Sequence, residues 1–547
     1  MLRAASTFPL WPAVRRWIYL LHRYLGLFLC LVFLFWFVSG VAMLYVRMPI
    51  LTPPERFAAL PPLDLETIKI GPAEACALLE LQTPPRRMRL GRVLDRPVYF
   101  VLPRGEAWRA VYADDGALIE RVDVAMAQEI ASRYLEPRVK ADYLGTVETI
   151  DQWTLTNSLN LHRPLHRFAL RDEDGTEVYV SQRTGEVVMK STRMERRLAW
   201  IGPIMHWIAP EFLRRHVGPW RQFLLWTSLA GTLLVVTGII IGVLRYKRGG
   251  YAHRDAGRSF SPYRSWKRWH HWAGVVFGVT TLTWIFSGLL YLNPGGSRAH
   301  PLDTTTTFTP YNVGGLRANY ASSTTQTEAF TGGALEPALF VRSAVAAAQA
   351  APVEEVREVE MIRFAGVPYY VVYADWNRSY LVRADAVEAP ARAFFSPEEL
   401  LACARAAVPH GRLTEWTWLT EYDAYYYSVG AVAPKRLPIL RVKFDDEART
   451  WLYVDPHTGS IFRRYDARGR ALRWLINGLH CLDFPFLFRH RPAWDLAIIL
   501  LSAGGFLLSA SAVVLSTKRI ALVYARWRQA RRLLRGEHAI NQRERTV

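Results

Sequence analysis

The chain has 547 residues, is 51% hydrophobic, 13% aromatic and 21% charged, and carries a formal net charge of +20. That composition excludes a disordered or collagen-like chain and leaves room for several domains. The charge alone points to a nucleic-acid partner, but the excess is confined to three stretches that abut or overlap long apolar runs. Residues 1–46 hold four Arg and no acid, 245–268 hold eight Lys or Arg against Asp255, and 518–547 hold nine against Glu537 and Glu544. This is positive-inside patterning, and no nucleic acid is needed to explain it.

In chain order, an apolar run ending near residue 47 is long enough to cross a bilayer and lacks the cleavage site of a secretory signal, so it is expected to be a retained signal-anchor helix. Residues 48–197 are expected to form a first outer domain and 198–218 an interfacial amphipathic segment. A second membrane helix is expected over 219–246, a basic cytoplasmic loop over 247–266 and a third helix over 267–293. Residues 294–470 read as a linker, Gly-, Ser- and Thr-rich over 294–336, followed by a second outer domain. A second interfacial segment over 471–491, a fourth helix over 492–516 and a basic tail over 517–547 complete the chain. Four spans place both termini in the cytoplasm of a multi-pass inner-membrane protein. Within the outer stretches, helices are predicted at 72–81 and 397–408 and strands at 98–102, 109–113, 439–444 and 451–454.

Internal repetition organises these elements. Adding 248 carries His22, Gly26, Trp36, Ser39 and Gly40 onto His270, Gly274, Trp284, Ser287 and Gly288. Adding 274 carries Tyr179, Thr184, Gly185, Trp200, His206, His216 and Trp220 onto Tyr453, Thr458, Gly459, Trp474, His480, His490 and Trp494. The expected fold class is an integral membrane α+β protein: four transmembrane helices in two tandem repeats, each with a periplasmic α+β domain. Four cysteines make no CxxC and no CxxCH, which excludes covalent haem attachment. A Cys76–Cys403 disulfide is allowed in an oxidising compartment but not required.

His22-Arg23-Tyr24-Leu25-Gly26, opening a span that ends in Ser39-Gly40, and Tyr453-Val454-Asp455-Pro456-His457-Thr458-Gly459 resemble the PepSY-associated transmembrane family. The resemblance implies PepSY-like periplasmic domains and iron-regulated inner-membrane proteins, some of them ferric-siderophore reductases with two haems among four helices. PepSY modules also serve as inhibitory units in protease propeptides, which implies a rival: a non-redox receptor or accessory protein for a protease, peptide or transporter.

An imidazole at membrane depth is costly unless paired, and so points to a function. His22 and His270 begin outward-running spans and lie near the inner face; His206, His216, His480 and His490 lie near the outer one. About 30 Å of hydrocarbon separates the faces, so one flat cofactor takes both ligands from one face. Two b-type haems are expected, one between His22 and His270, the other between His206 and His480, with His216 and His490 as the runner-up pair. Gly26 and Gly274, four residues after the inner histidines, leave space for a porphyrin. His271 is an alternative to His270. His162 and His166 flank a proline and read as surface or docking residues, or as contacts to the outer haem or substrate. The expected partners are membrane lipid, a cytoplasmic or membrane electron donor, and a ferric-siderophore-like substrate.

Overall fold

The computed structural model describes residues 10–253, 257–292, 330–386, 388–428 and 435–544. The connection expected over 294–336 lies mostly outside them. The described residues form two compact units: a helical one, up to Leu44, from Gly218 to the end of the third long helix and from Ile476 onward, and an α+β one made of 45–217 and 330–475.

Among the described residues four helices are long and apolar enough to cross a membrane: α1 (Leu10–Ala42), α2 (Val217–Arg245), α3 (Ser265–Tyr291) and α4 (Ala493–Glu544). The chain is a multi-pass membrane protein. The last helix outruns its expected end near 516 because residues 506–535 contain neither Gly nor Pro and are rich in Ala, Leu and Arg, which continue a helix into water. The bundle core gathers Phe33 and Phe37 of α1, Leu234 and Val235 of α2 and Ile285 of α3. A Cβ on Gly504 would stand 2.3 Å from the Phe277 ring and one on Gly505 2.2 Å from Phe37, so this pair of glycines lets α4 close on α3 and α1 at once.

In the α+β unit the strands are β1 (Arg87–Val93), β2 (Arg96–Leu102), β3 (Arg109–Tyr112), β4 (Leu118–Ile119), β5 (Ala141–Val147), β6 (Leu165–Leu170), β7 (Glu177–Ser181) and β8 (Val187–Ser191). A hairpin of β9 (Tyr251–His253) and β10 (Gly257–Ser259) belongs to the helical unit. The second stretch adds β11 (Glu358–Phe364), β12 (Val367–Tyr373), β13 (Ser379–Arg383), β14 (Leu413–Leu419), β15 (Ile439–Phe444), β16 (Trp451–Asp455) and β17 (Ser460–Tyr465). Between the two stretches expected as outer domains, β1 pairs antiparallel with β11, so that one seven-stranded sheet, ordered β13-β12-β11-β1-β2-β3-β4, runs through both. β5–β8 and β14–β17 form two separate four-stranded antiparallel meanders.

Alternation along the seven strands builds two cores. Met88, Leu90, Tyr99, Val359, Met361 and Tyr370 face one side, covered by helices Pro72–Leu78 and Ala344–Ala350. On the other side helix Val124–Ser132 lies between β2 and the β5–β8 meander, and helix Pro397–Ala407 between β12 and the β14–β17 meander. Cys76 belongs to the first core and Cys403 to the second, so the sheet lies between them, and both are free thiols rather than the disulfide that the sequence allowed.

Candidate functional site

Within the helical unit, α1 and α3 bring the His22 and His270 rings together, with centroids 6.2 Å apart and planes tilted by 46°. Each ring is held the same way. His22 Nδ1 donates to the Leu234 carbonyl of α2 at 3.0 Å, with the Thr237 hydroxyl 3.5 Å away. His270 Nδ1 lies 3.2 Å from the Leu508 carbonyl of α4 and 3.1 Å from Ser511 Oγ. In both cases the hydroxyl follows the carbonyl by three residues and itself donates to it, at 2.9 Å from Thr237 and 2.8 Å from Ser511. A neutral imidazole that donates through Nδ1 keeps its lone pair on Nε2, the tautomer a metal requires.

The spacing can be tested against a metal between the rings. A metal–imidazole bond of about 2.0 Å on each side, plus about 1.2 Å from nitrogen to ring centroid, gives roughly 6.4 Å between centroids. The observed 6.2 Å agrees. No three His, Cys, Asp or Glu converge among the described residues, so a bare ion lacks a cage here. Two imidazoles suit a metal whose other ligands belong to a macrocycle. Cβ atoms on Gly26 and Gly274 would meet only Leu234 at 3.6 Å and Leu508 at 3.7 Å, ordinary contacts, so packing does not demand these glycines. Gly238 is demanded: its Cβ would stand 2.8 Å from the His22 ring.

On the approach to the expected outer histidines the chain follows the same course twice. Helix Arg193–Ala199 runs into a π-turn at Trp200–Ile204 and the short helix Met205–Trp207, which carries His206. Helix Ala467–Arg473 runs into a π-turn at Trp474–Gly478 and Leu479–Cys481, which carries His480. Left-handed Ile208 and Leu482 end the two. Such π-turns recur at functional positions, and sequence periodicity had not revealed them. His480 repeats the inner pattern, with Nδ1 3.2 Å from the Trp284 carbonyl and 3.0 Å from Ser287 Oγ of α3. His206 belongs to the α+β unit and His480 to the helical unit.

The remaining histidines separate by environment. His216 and His490 are exposed, and His490 Nδ1 donates to the Phe486 carbonyl of its own short helix at 2.8 Å. His271 is buried and spends Nε2 on the Gly242 carbonyl at 3.1 Å, tying α3 to α2. His166, expected at a surface, is buried in β6 with both nitrogens bonded at 3.0 Å, to Thr146 and to the Val122 carbonyl. His162 stacks on Trp108 at 5.7 Å beside a buried ion network. In that network Arg89 bridges Glu358 at 2.8 Å and Glu186 at 3.0 Å, and Arg56 pairs with Glu358. Among the described residues, reading the sequence missed Thr237 and Ser511, although they stand 274 apart, because a hydroxyl in an apolar helix reads as a self-satisfied side chain.

Residues 19–393 match the family model described as the PepSY-associated TM region, well over half of the chain. Residues 396–465 match that of the Peptidase propeptide and YPEB domain. No curated protein matches.

Proposed function

The chain belongs to the PepSY-associated TM region family, and from that premise we propose that it carries electrons across the inner membrane through two b-type haems to an external ferric chelate. The observation that carries this reading is the His22–His270 pair, whose 6.2 Å spacing and Nδ1 anchoring suit bis-imidazole ligation. A b-type haem supplies reversible one-electron transfer in an apolar interior. His22 and His270 are the inner ligands in this reading. The Leu234 and Leu508 carbonyls fix their tautomer and orientation and make them better donors. His206 and His480 are the proposed outer ligands, on the sequence argument and on the Nδ1 anchoring of His480. A flavoprotein or quinol gives electrons on the cytoplasmic side, and a siderophore-like ferric chelate takes them in the periplasm. Ferrous iron binds hard oxygen ligands more weakly than ferric, so reduction releases it.

The same reading holds that the chain is two tandem copies of one unit, with both termini cytoplasmic. Three observations support the copies: the matched anchoring of His22 and His270, the two helix–π-turn courses, and the two four-stranded meanders. The basic stretches support the orientation. In proteoliposomes of the full chain loaded with dithionite, an outside ferric chelate should yield ferrous iron, trapped by an outside ferrous indicator. A rate equal to that of protein-free vesicles would refute the proposal. The second reading, a non-redox receptor or accessory protein, is favoured by the match of residues 396–465 to a protease-propeptide module, since the family matches describe PepSY regions and no haem motif. It predicts no chromophore and a retained protease, peptide or transporter subunit.

A further inference from the structure

The β14–β17 meander buries cations that nothing in the helical unit's chemistry uses. In β17, Arg463 lies opposite Tyr453, and a bulge places Phe462 between the Tyr453–Arg463 and Val454–Ile461 pairs. The other meander has the same bulge at the same place, where Tyr179 faces Met189 and Val180 faces Val187. There the site is a mostly apolar cleft lined by Met48, Trp153, Met189, Pro203 and Trp207, with Arg214 also at its wall. One fold position therefore holds methionine in one sheet and a guanidinium in the other, and sheet packing does not call for the charge.

Arg463 is 3% exposed and spends Nη1 on the Tyr465 hydroxyl at 2.9 Å, while its Nε and Nη2 have no hydrogen-bond partner. Beside it the Lys435 ammonium is out of solvent, also unpartnered, over the rings of Tyr426 at 5.3 Å and Tyr427 at 5.5 Å. Asp423, the acid that offsets this charge, is committed to Arg441 at 2.9 Å and to the Tyr453 hydroxyl at 2.8 Å. Residues 429–434, which precede Lys435, carry no acid. Burial, reinforced by Arg463, holds the Lys435 ammonium well below its ordinary pKa when no anion is near. The Lys435 Nζ and the Arg463 Nε and Nη2 groups thus lack the acceptors that buried donors ordinarily have.

We propose that Lys435 and Arg463 form a binding site for a phosphate-type oxyanion, free or as the headgroup of a phospholipid. Two or more full charges and several N–H donors exceed what one carboxylate accepts, whereas a phosphate offers three acceptor oxygens and up to two charges. The surrounding Tyr426, Tyr427 and Phe462 rings lower the local dielectric and so strengthen each bond.

The test uses the full chain in phosphatidylcholine nanodiscs and follows thermal unfolding by aromatic fluorescence, in sodium phosphate and in sodium chloride of matched ionic strength. A higher midpoint in phosphate is expected. Lys435→Met and Arg463→Met, the latter restoring the residue of the other sheet, should each weaken the phosphate response roughly tenfold or more. They should unfold no earlier than wild type in chloride, because an unmatched buried cation has been removed. A response in phosphatidylcholine identifies the free ion; one that appears only with phosphatidic acid identifies the headgroup. Equal midpoints in all media, or an undiminished response in Lys435→Met, would overturn the site. Lys435 lies outside the sheet ladder, so that variant decides the matter if Arg463→Met does not fold.

Discussion

A histidine in a membrane helix is decided by its second nitrogen. His22, His270 and His480 all present Nδ1 to a helix carbonyl backed by a hydroxyl three residues later. His271, one residue from His270, presents Nε2 instead and points to α2. His22→Ala and His270→Ala should each lose about one haem per chain by pyridine haemochrome assay, and His271→Ala should lose none; equal loss in all three would break the ligand assignment. In the α+β unit His162 titrates differently from a surface histidine. Burial pushes its pKa down to about 4, with Glu186 opposing and Arg89 and Arg56 assisting. A depressed histidine pKa means that the folded state prefers the neutral ring. Its stabilisation is complete above about pH 6.5 and drains away as pH falls toward about 4. Unfolding midpoints measured between pH 7.5 and 4.5 should therefore fall more steeply in wild type than in His162→Phe, which keeps the Trp108 stack; parallel slopes would show that His162 is not the titrating group.

At the scale of elements, the histidine repeats and the four apolar runs were readable because length and spacing alone specify them. The helix at Pro397–Ala407 and the strand at Ile439–Phe444 likewise follow from capping and alternation. The junction of the two inter-helix stretches was not readable, because strand pairing between residues about 270 apart leaves no local pattern. That junction rests on β1 and β11, where Arg87 reaches Glu360 at 2.7 Å and Arg89 holds Glu358 under the sheet. Burial would raise the Glu358 pKa, but Arg56 and Arg89 outweigh it and hold the carboxyl down at about 2. Glu358→Gln leaves buried Arg89 and half-buried Arg56 with Glu186 as their one remaining carboxylate and should cost about 3–5 kcal/mol of unfolding free energy, whereas Arg89→Met with Glu358→Met should cost less than the single change. A double variant weaker than Glu358→Gln, measured by chemical denaturation, would show that the pair adds net stability.

For the whole molecule, the family match and the four apolar helices establish a membrane protein with PepSY regions. The electron-carrier reading adds one claim to that, namely that facing histidines of different helices hold haem. The facing histidines were only partly legible from the sequence, since side chains on different helices leave no contiguous motif and come together by helix packing at long range. The absorption spectrum of the purified full chain from haem-replete expression, oxidised and then dithionite-reduced, with haem quantified against protein, tests the claim most directly. The account predicts a Soret band that shifts on reduction, a b-type pyridine haemochrome and about two haems per chain. A chain that folds with four membrane helices yet shows no Soret band and a haem ratio near zero would contradict it.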